Sequence, residues 1–146
     1  MMPPKNPSLL LAAWMSIAAS LLHIVVIAGG ADWYRFFGAG EQLASAAERG
    51  SFIPTIMTLG IATVLAVWAA FAFSAAGRLR RLPLARTALT AITIVLLARG
   101  ALGFTPVFLP IPSQAFLVWS SAICVVMGIC FALGTARAWP YLSERN

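Results

Sequence analysis

The chain has 146 residues, of which 61% are hydrophobic and only 10% are charged, and its formal net charge is +6 at pH 7. Globular domains carry about 25% charged residues, so this composition excludes an ordinary soluble domain and favours a membrane protein. The net positive charge could indicate nucleic-acid binding, but the cations flank apolar runs instead of forming one basic surface. We therefore expect no nucleic acid among the partners.

Four apolar segments are long enough to cross a bilayer, which takes about 20 residues per helix. The predicted helices cover residues 8–29, 52–75, 83–103 and 113–135. Pro54 and Pro83 fall in first turns, where proline is tolerated, and no proline is expected in a helix interior. The predicted fold class is an all-α integral membrane protein, a four-helix transmembrane bundle that forms a single domain over residues 1–146.

The connection between the first two spans, residues 31–51, is too long for a simple turn. Gly38 and Gly40 precede residues 41–49, and Gly50 follows them. This spacing predicts a short extra helix in the first non-cytoplasmic loop. Two interpretations are open: the helix lies at the membrane interface with its apolar face on lipid, or it caps the bundle and turns its carboxylates toward the bundle mouth.

The cations are distributed asymmetrically about the predicted spans. Seven of them fall on one side: Lys5, Arg78, Arg80, Arg81, Arg86, Arg137 and Arg145. The other side combines two arginines with three carboxylates. Because cytoplasmic segments are enriched in Lys and Arg, we expect both termini in the cytoplasm and the protein in a bacterial inner membrane.

Arg99 is the one formally charged residue deep inside a predicted span, since Arg86 lies at the start of the same segment. A charge costs at least about 2.5–3.5 kcal/mol at a helix centre. At 1.5 Å per residue Arg99 lies ~24 Å from the predicted helix start at Pro83, and His23, the only histidine, lies ~22 Å from Ser8. Both depths fall in the outer half of a core about 30 Å thick. Arg99 therefore either reaches the headgroups, forms a structural ion pair or binds a ligand, and His23 either packs as a hydrogen-bonded side chain or joins the same site.

Counting the same depth along the other spans adds further polar and aromatic residues. The candidate ligand-binding residues are His23, Glu41, Thr58, Arg99, Trp119 and Ser120. Arg99 is expected to pair with Glu41, or to hold an anionic or carbonyl oxygen of a ligand. His23 would donate a hydrogen bond or move a proton, and Trp119 would pack against an apolar body. The set predicts an outer-leaflet polar pocket for an amphiphile such as a lipid, a quinone or a sterol-like molecule.

Three functional hypotheses are open at this point. The first is a membrane protein that binds an amphiphile, with isomerase-like activity left open. The second is a non-catalytic accessory or assembly subunit of a larger membrane complex, which small-residue stripes on the spans would suit. The third is a small proton-coupled transporter, which is weakened because no carboxylate lies inside a predicted span.

Cofactors and catalytic residues are not identified by any motif in the sequence, and no metal site is expected. The expected partners are the lipid bilayer, an amphiphilic small molecule, and either further copies of the chain or a larger membrane complex.

Overall fold

The computed structural model of the chain describes residues 5–104 and 114–143. Over these ranges the chain is all-α, with helices α1 (Pro7–Phe36), α2 (Glu41–Glu48), α3 (Ile53–Ala75), α4 (Ala85–Leu102) and α5 (Gln114–Ser143). Four of them, α1, α3, α4 and α5, are long and apolar enough to cross a membrane. The predicted all-α fold with four helices able to span a membrane is therefore confirmed, as is the short helix between the first two spans. The single domain over residues 1–146 stays a prediction. The predicted first residue of the fourth span, Ser113, and the terminal cation Arg145 lie outside the described ranges.

Helix α1 contains a backbone break at Gly30, where φ is 69° and ψ is −154°. Glycine adopts this conformation at little steric cost because it has no Cβ. The break agrees with the predicted end of the first span at Gly29. The following residues, 31–36, resume a helix instead of forming the expected loop.

The start of α4 differs from the prediction. Leu84 has φ 57°, in the left-handed region, and the helix begins at Ala85. A left-handed residue cannot continue a right-handed helix, so Pro83 lies before the helix and not in its first turn. Pro54, in contrast, lies in the first turn of α3 as predicted.

The end of α5 also differs, because the helix continues past the predicted end at Thr135 to Ser143. Pro140 lies inside this extension, so the expectation that no proline occupies a helix interior is wrong there. Proline removes one helical hydrogen bond. Burial on either side of it supports the helix, since Ala138 is 0% exposed and Leu142 6% exposed.

The chain forms two compact units, unit 1 (Met1–Ser16 and Val67–Asn146) and unit 2 (Ile17–Ala66). In unit 1, α4 and α5 pack against each other. The largest fully buried side chain is Phe131, which shares an apolar core with Leu9 and Leu89.

Unit 2 has a smaller core where α2 packs on the later part of α1. Val26, Tyr34 and Ala44 are its buried members. The Ser20 hydroxyl donates a 2.7 Å hydrogen bond to the Ala62 carbonyl and so joins α1 to α3 within this unit. The position of helix α2 is therefore set by its packing against α1.

Candidate functional site

Arg99 lies in the last turn of α4, in unit 1, and its side chain is exposed. Its guanidinium donates to two hydroxyls of α5: Nη1 to Ser121 Oγ at 3.1 Å and Nη2 to Ser120 Oγ at 3.4 Å. A guanidinium has five N–H donors, so these two contacts leave donors available for an outside acceptor.

The two serine hydroxyls are oriented by the backbone of their own helix. Ser120 Oγ donates to the Leu117 carbonyl at 3.0 Å, and Ser121 Oγ donates to the same oxygen at 2.6 Å. Because each hydroxyl has one hydrogen, already given to Leu117, its lone pairs are left to accept from Arg99. The arginine is therefore held in place by neutral acceptors that do not cancel its charge.

Gly103, directly after α4, makes the close approach between Arg99 and Ser121 possible. A Cβ at this position would overlap the Ser121 hydroxyl and lie 2.6 Å from Arg99 Nη1. Any larger residue here would have to displace one partner of the hydrogen bond. The sequence did not single out either Gly103 or Ser121 as a site residue.

Carboxylates are absent from the described residues of unit 1, which contain no Asp or Glu. Within the described residues of this unit, Arg99 therefore has no carboxylate partner near the end of its apolar helix. A charge in that position is stabilised by water, by headgroups or by an anionic ligand. The arrangement can hold an anionic or carbonyl oxygen at the edge of the apolar region.

Trp119 is 72% exposed, so unit 1 does not enclose it. Successive residues on a helix point about 100° apart, so Trp119 projects from the side of α5 next to Ser120. Its role as the apolar wall of a ligand pocket stays a prediction. Ser120 is half-buried and contacts Arg99, as described above.

His23 lies in unit 2, half-buried on α1, and its Nδ1 is 2.7 Å from the Ala19 carbonyl. A carbonyl can only accept, so Nδ1 carries the proton in this contact and Nε2 is left as an acceptor. One ring nitrogen is thus satisfied within the helix, which agrees with the interpretation of His23 as a hydrogen-bonded packing residue. The other nitrogen remains able to accept a hydrogen bond.

Glu41 is bound by Arg35, not by the cation expected from the sequence. Arg35 Nε donates to Glu41 Oε2 at 3.0 Å and Nη2 donates to Oε1 at 2.7 Å, while Nη1 donates to Glu48 Oε1 at 2.7 Å. Asp32 lies 3.5 Å from the same guanidinium. The expected pairing of Glu41 with Arg99 is therefore replaced by a bidentate pair within unit 2, and Arg99 bonds to hydroxyls.

The physical reason is geometric. The helical segment 31–36 after Gly30 brings Arg35 to the start of α2, and a guanidinium fork matches both oxygens of a carboxylate. Ser45 Oγ also donates to Glu41 Oε1, at 2.9 Å. The hydrogen bonds from Arg35 and Ser45 lower the pKa of Glu41 to about 2, and those from Arg35 lower the pKa of Glu48.

Thr58 lies on α3 in unit 2 and is 6% exposed. Unit 2 thus holds His23, Glu41 and Thr58, and unit 1 holds Arg99, Trp119 and Ser120. Within these sets the structure brings Arg99 and Ser120 together, whereas Glu41 is engaged by a residue outside the predicted set. A single cavity formed by all six residues stays a prediction.

Two residues were missed by the sequence reasoning. Ser121 is 0% exposed and makes the shorter of the two hydroxyl contacts to Arg99. The sequence feature that could have identified Ser121 is its position directly after Ser120, which was already a candidate residue. Arg35 was counted only as a loop cation, although it is the basic residue nearest in sequence to Glu41.

Comparison with known proteins adds no family assignment, because no family model, curated protein or solved structure matches this chain. Over residues 5–104 and 114–143, the structure by itself shows an all-α fold with four helices able to span a membrane.

Proposed function

We propose that this chain is a small integral membrane protein that binds an amphiphile through Arg99. The observation that carries the proposal is the Arg99 guanidinium, held by two serine hydroxyls in a unit whose described residues contain no carboxylate. An arginine fixed in this way is ready to bind an anionic or carbonyl oxygen with its remaining donors. The polar group of the ligand would lie at this position.

The apolar part of the ligand would lie along the outer faces of α4 and α5. Val95 is one turn before Arg99 on the same helix face and is 51% exposed, and Trp119 is 72% exposed. Arg99 lies near the end of its helix, where the apolar core meets the headgroups. A molecule with one polar end and an apolar body, such as a lipid, a quinone or a sterol-like molecule, fits this combination of a cation and exposed apolar side chains.

Catalysis is a separate question from binding. An isomerase-like activity would need a group that moves a proton, and His23, the single histidine of the chain, is the candidate. We expect His23→Ala to abolish such an activity. Binding at Arg99 does not depend on that outcome.

The test is mass spectrometry of the small molecules and lipids that co-purify with the full chain in a mild detergent. Arg99→Gln keeps much of the side-chain volume and removes the charge. Losing a charge-assisted hydrogen bond costs about 1.5–3 kcal/mol, so the affinity for the ligand should fall roughly ten- to a hundredfold. The occupancy at limiting ligand should fall accordingly. Arg49→Gln removes one charge from an exposed arginine of unit 2 and is the matched control. Equal ligand sets at equal occupancy in wild type and Arg99→Gln would disprove the proposal.

A second candidate function, an accessory subunit of a larger membrane complex, is favoured by one observation. Gly60 lies on an exposed face of α3, and a Cβ placed there would meet no atom within 4 Å. Small residues on open helix faces allow another helix to approach closely. Native mass spectrometry after gentle extraction would detect a protein partner in fixed stoichiometry, and Gly60→Leu should displace it.

A further inference from the structure

The turn between α3 and α4 carries a dense group of cations in unit 1. Arg78, Arg80, Arg81 and Arg86 fall within nine consecutive residues, 78–86. Because the described residues of this unit include no carboxylate, the unit itself offers little to neutralise the charge. A concentration of arginines of this kind attracts anions from outside the protein.

The turn is held in a defined shape by a buried serine. Ser74 is 1% exposed, and its hydroxyl donates to the Arg80 carbonyl at 3.0 Å and accepts from the Leu82 N–H at 2.8 Å. One side chain thus fixes the backbone on both sides of Arg81. The cations of the turn are therefore presented from an ordered scaffold.

Arg86 is held against the end of α5 by an aromatic ring. Its guanidinium carbon lies 4.1 Å from the centre of the Trp139 ring. Next to it, Arg81 Nη2 donates to the Tyr141 carbonyl at 2.9 Å, and this guanidinium lies 5.0 Å from the Tyr141 ring centre. Stacking uses the flat face of a guanidinium and leaves its in-plane N–H donors for a phosphate or carboxylate.

Exposed apolar side chains lie in the same region as these arginines. Leu79 is 52% exposed, Leu84 79% and Trp139 40%. A site for a soluble anion gains nothing from exposed leucines. A phospholipid, in contrast, offers a phosphate for the arginines and acyl chains for the apolar residues.

We propose that Arg86 stacked on Trp139, together with Arg78 and Arg80 of the adjoining turn, binds the headgroup phosphate of an anionic phospholipid. The net charge of the lipid matters because a zwitterionic headgroup brings its own cation to an already cationic surface. This site uses residues different from those at Arg99, and it stands or falls independently of the proposed function.

The experiment is native mass spectrometry of the full chain in detergent, titrated with phosphatidylglycerol or phosphatidylcholine. A basic residue near an anionic surface contributes about 1 kcal/mol, so Arg86→Gln should weaken phosphatidylglycerol binding about fivefold. Trp139→Leu should weaken it as well, while Trp139→Phe, which keeps a ring under Arg86, should retain most of the affinity. Arg49→Gln, with the same charge change in unit 2, should have no effect.

Each alternative result overturns the proposal. Equal weakening by Arg49→Gln and Arg86→Gln would show that only net charge matters. Equal affinity of the wild type for the two lipids would remove the anionic specificity. Displacement of the lipid by inorganic phosphate at the same concentration would identify a soluble anion as the ligand. Circular dichroism of each variant confirms that it is folded, and Arg86→Lys should bind more tightly than Arg86→Gln.

Discussion

Asn6 is the buried polar side chain that fixes the beginning of α1 in unit 1. Its Oδ1 accepts a hydrogen bond from the Leu9 N–H at 3.1 Å, and its Nδ2 donates to the Gly134 carbonyl at 2.7 Å. The first bond satisfies a free donor at the helix start, and the second joins α1 to α5. A residue that is 1% exposed thereby makes two contacts that water cannot replace.

We expect Asn6→Ala to lower the free energy of unfolding by about 1–3 kcal/mol, because it removes a helix cap and a buried hydrogen bond. Asn6→Ser keeps a capping oxygen but is too short to reach Gly134, so its effect should be intermediate. The measurement is the thermal unfolding midpoint in mild detergent. Ser8→Ala is the control, since it removes only an exposed 3.0 Å bond from Arg137. Equal losses in Asn6→Ala and Ser8→Ala would contradict the assignment.

Arg99 and Glu41 illustrate which statements about single residues the sequence supports. The cost of a charge in an apolar span predicted that Arg99 would reach the headgroups, pair with a carboxylate such as Glu41, or bind a ligand. In the structure its guanidinium donates to two serine hydroxyls. The identity of the partners was not predictable. Whether Arg99 bonds to a hydroxyl or to a carboxylate depends on the positions of side chains on other segments, to within about an ångström.

Helix α2 is fastened to the end of α1 by Arg35, which bridges Glu41 and Glu48. The hydrogen bonds from this guanidinium lower the pKa of Glu41 from its ordinary value of 4.5 to about 2. A depressed carboxyl pKa stabilises the folded form above the ordinary pKa, and this stabilisation is lost as pH falls through the folded pKa. The attachment of α2 should therefore persist at pH 5 and weaken progressively between about pH 4.5 and pH 2.

The corresponding measurement is the hydrogen-exchange protection factor of the α2 amides at pH 5 and at pH 3. We expect lower protection at pH 3 in the wild type. Arg35→Gln should reduce protection at pH 5 by a factor of about five or less, as is typical of exposed ion pairs, and should remove most of the pH dependence. Arg49→Gln leaves the contacts of Arg35 in place and should behave like the wild type. Unchanged pH dependence in Arg35→Gln would refute the role of the bridge.

The contact between α4 and α5 depends on a glycine at the crossing. A Cβ at Gly100 would lie 2.5 Å from Val125 Cγ2, 3.1 Å from the Val125 backbone nitrogen and 3.2 Å from the Ser121 carbonyl oxygen. Valine is stiff at χ1 and the other two atoms are backbone, so the helices would have to move apart.

We expect Gly100→Ala to destabilise unit 1 by about 1–3 kcal/mol, the usual cost of overpacking. Gly60→Ala is the matched control because the space around it is open, and the higher helix propensity of alanine should stabilise α3 by up to about 1 kcal/mol. Thermal unfolding in detergent measures both variants. If both variants changed the stability in the same direction, helix propensity and not the contact between α4 and α5 would determine the result.

At the scale of the whole molecule, the charge asymmetry predicts the orientation in the membrane. The basic turn at residues 78–86 is expected to be cytoplasmic, and α2 is expected to lie on the opposite side. The prediction depends on the distribution of Lys and Arg about the spans.

Cysteine labelling of intact cells tests this orientation in a background without Cys124 and Cys130. A membrane-impermeant maleimide should modify Ser45→Cys and should leave Arg80→Cys unmodified until the membrane is permeabilised. Labelling after permeabilisation confirms that each thiol is reachable. The opposite pattern would reverse the topology.

The sequence by itself determined the number and type of the spans, because the length of an apolar run, compared with the thickness of a bilayer, is a local property. It also located the short helix α2 from the glycines around it. Helix ends were less predictable. Leu84 adopts a left-handed conformation at an exposed position, and the helix continues through Pro140, where the neighbouring Ala138 and Leu142 are buried.

Only the tertiary structure decided which polar groups meet. Glu41 is bound by Arg35, six residues earlier in the chain, because the break at Gly30 and the helical turn after it place Arg35 at the start of α2. Arg99 is bound by Ser120 and Ser121, more than twenty residues away, because α4 packs against α5. Composition and periodicity describe each helix separately and do not specify these contacts. The sequence therefore showed that the charge of Arg99 needs compensation, but the packing of α4 against α5 brought serine hydroxyls to it and not the expected Glu41.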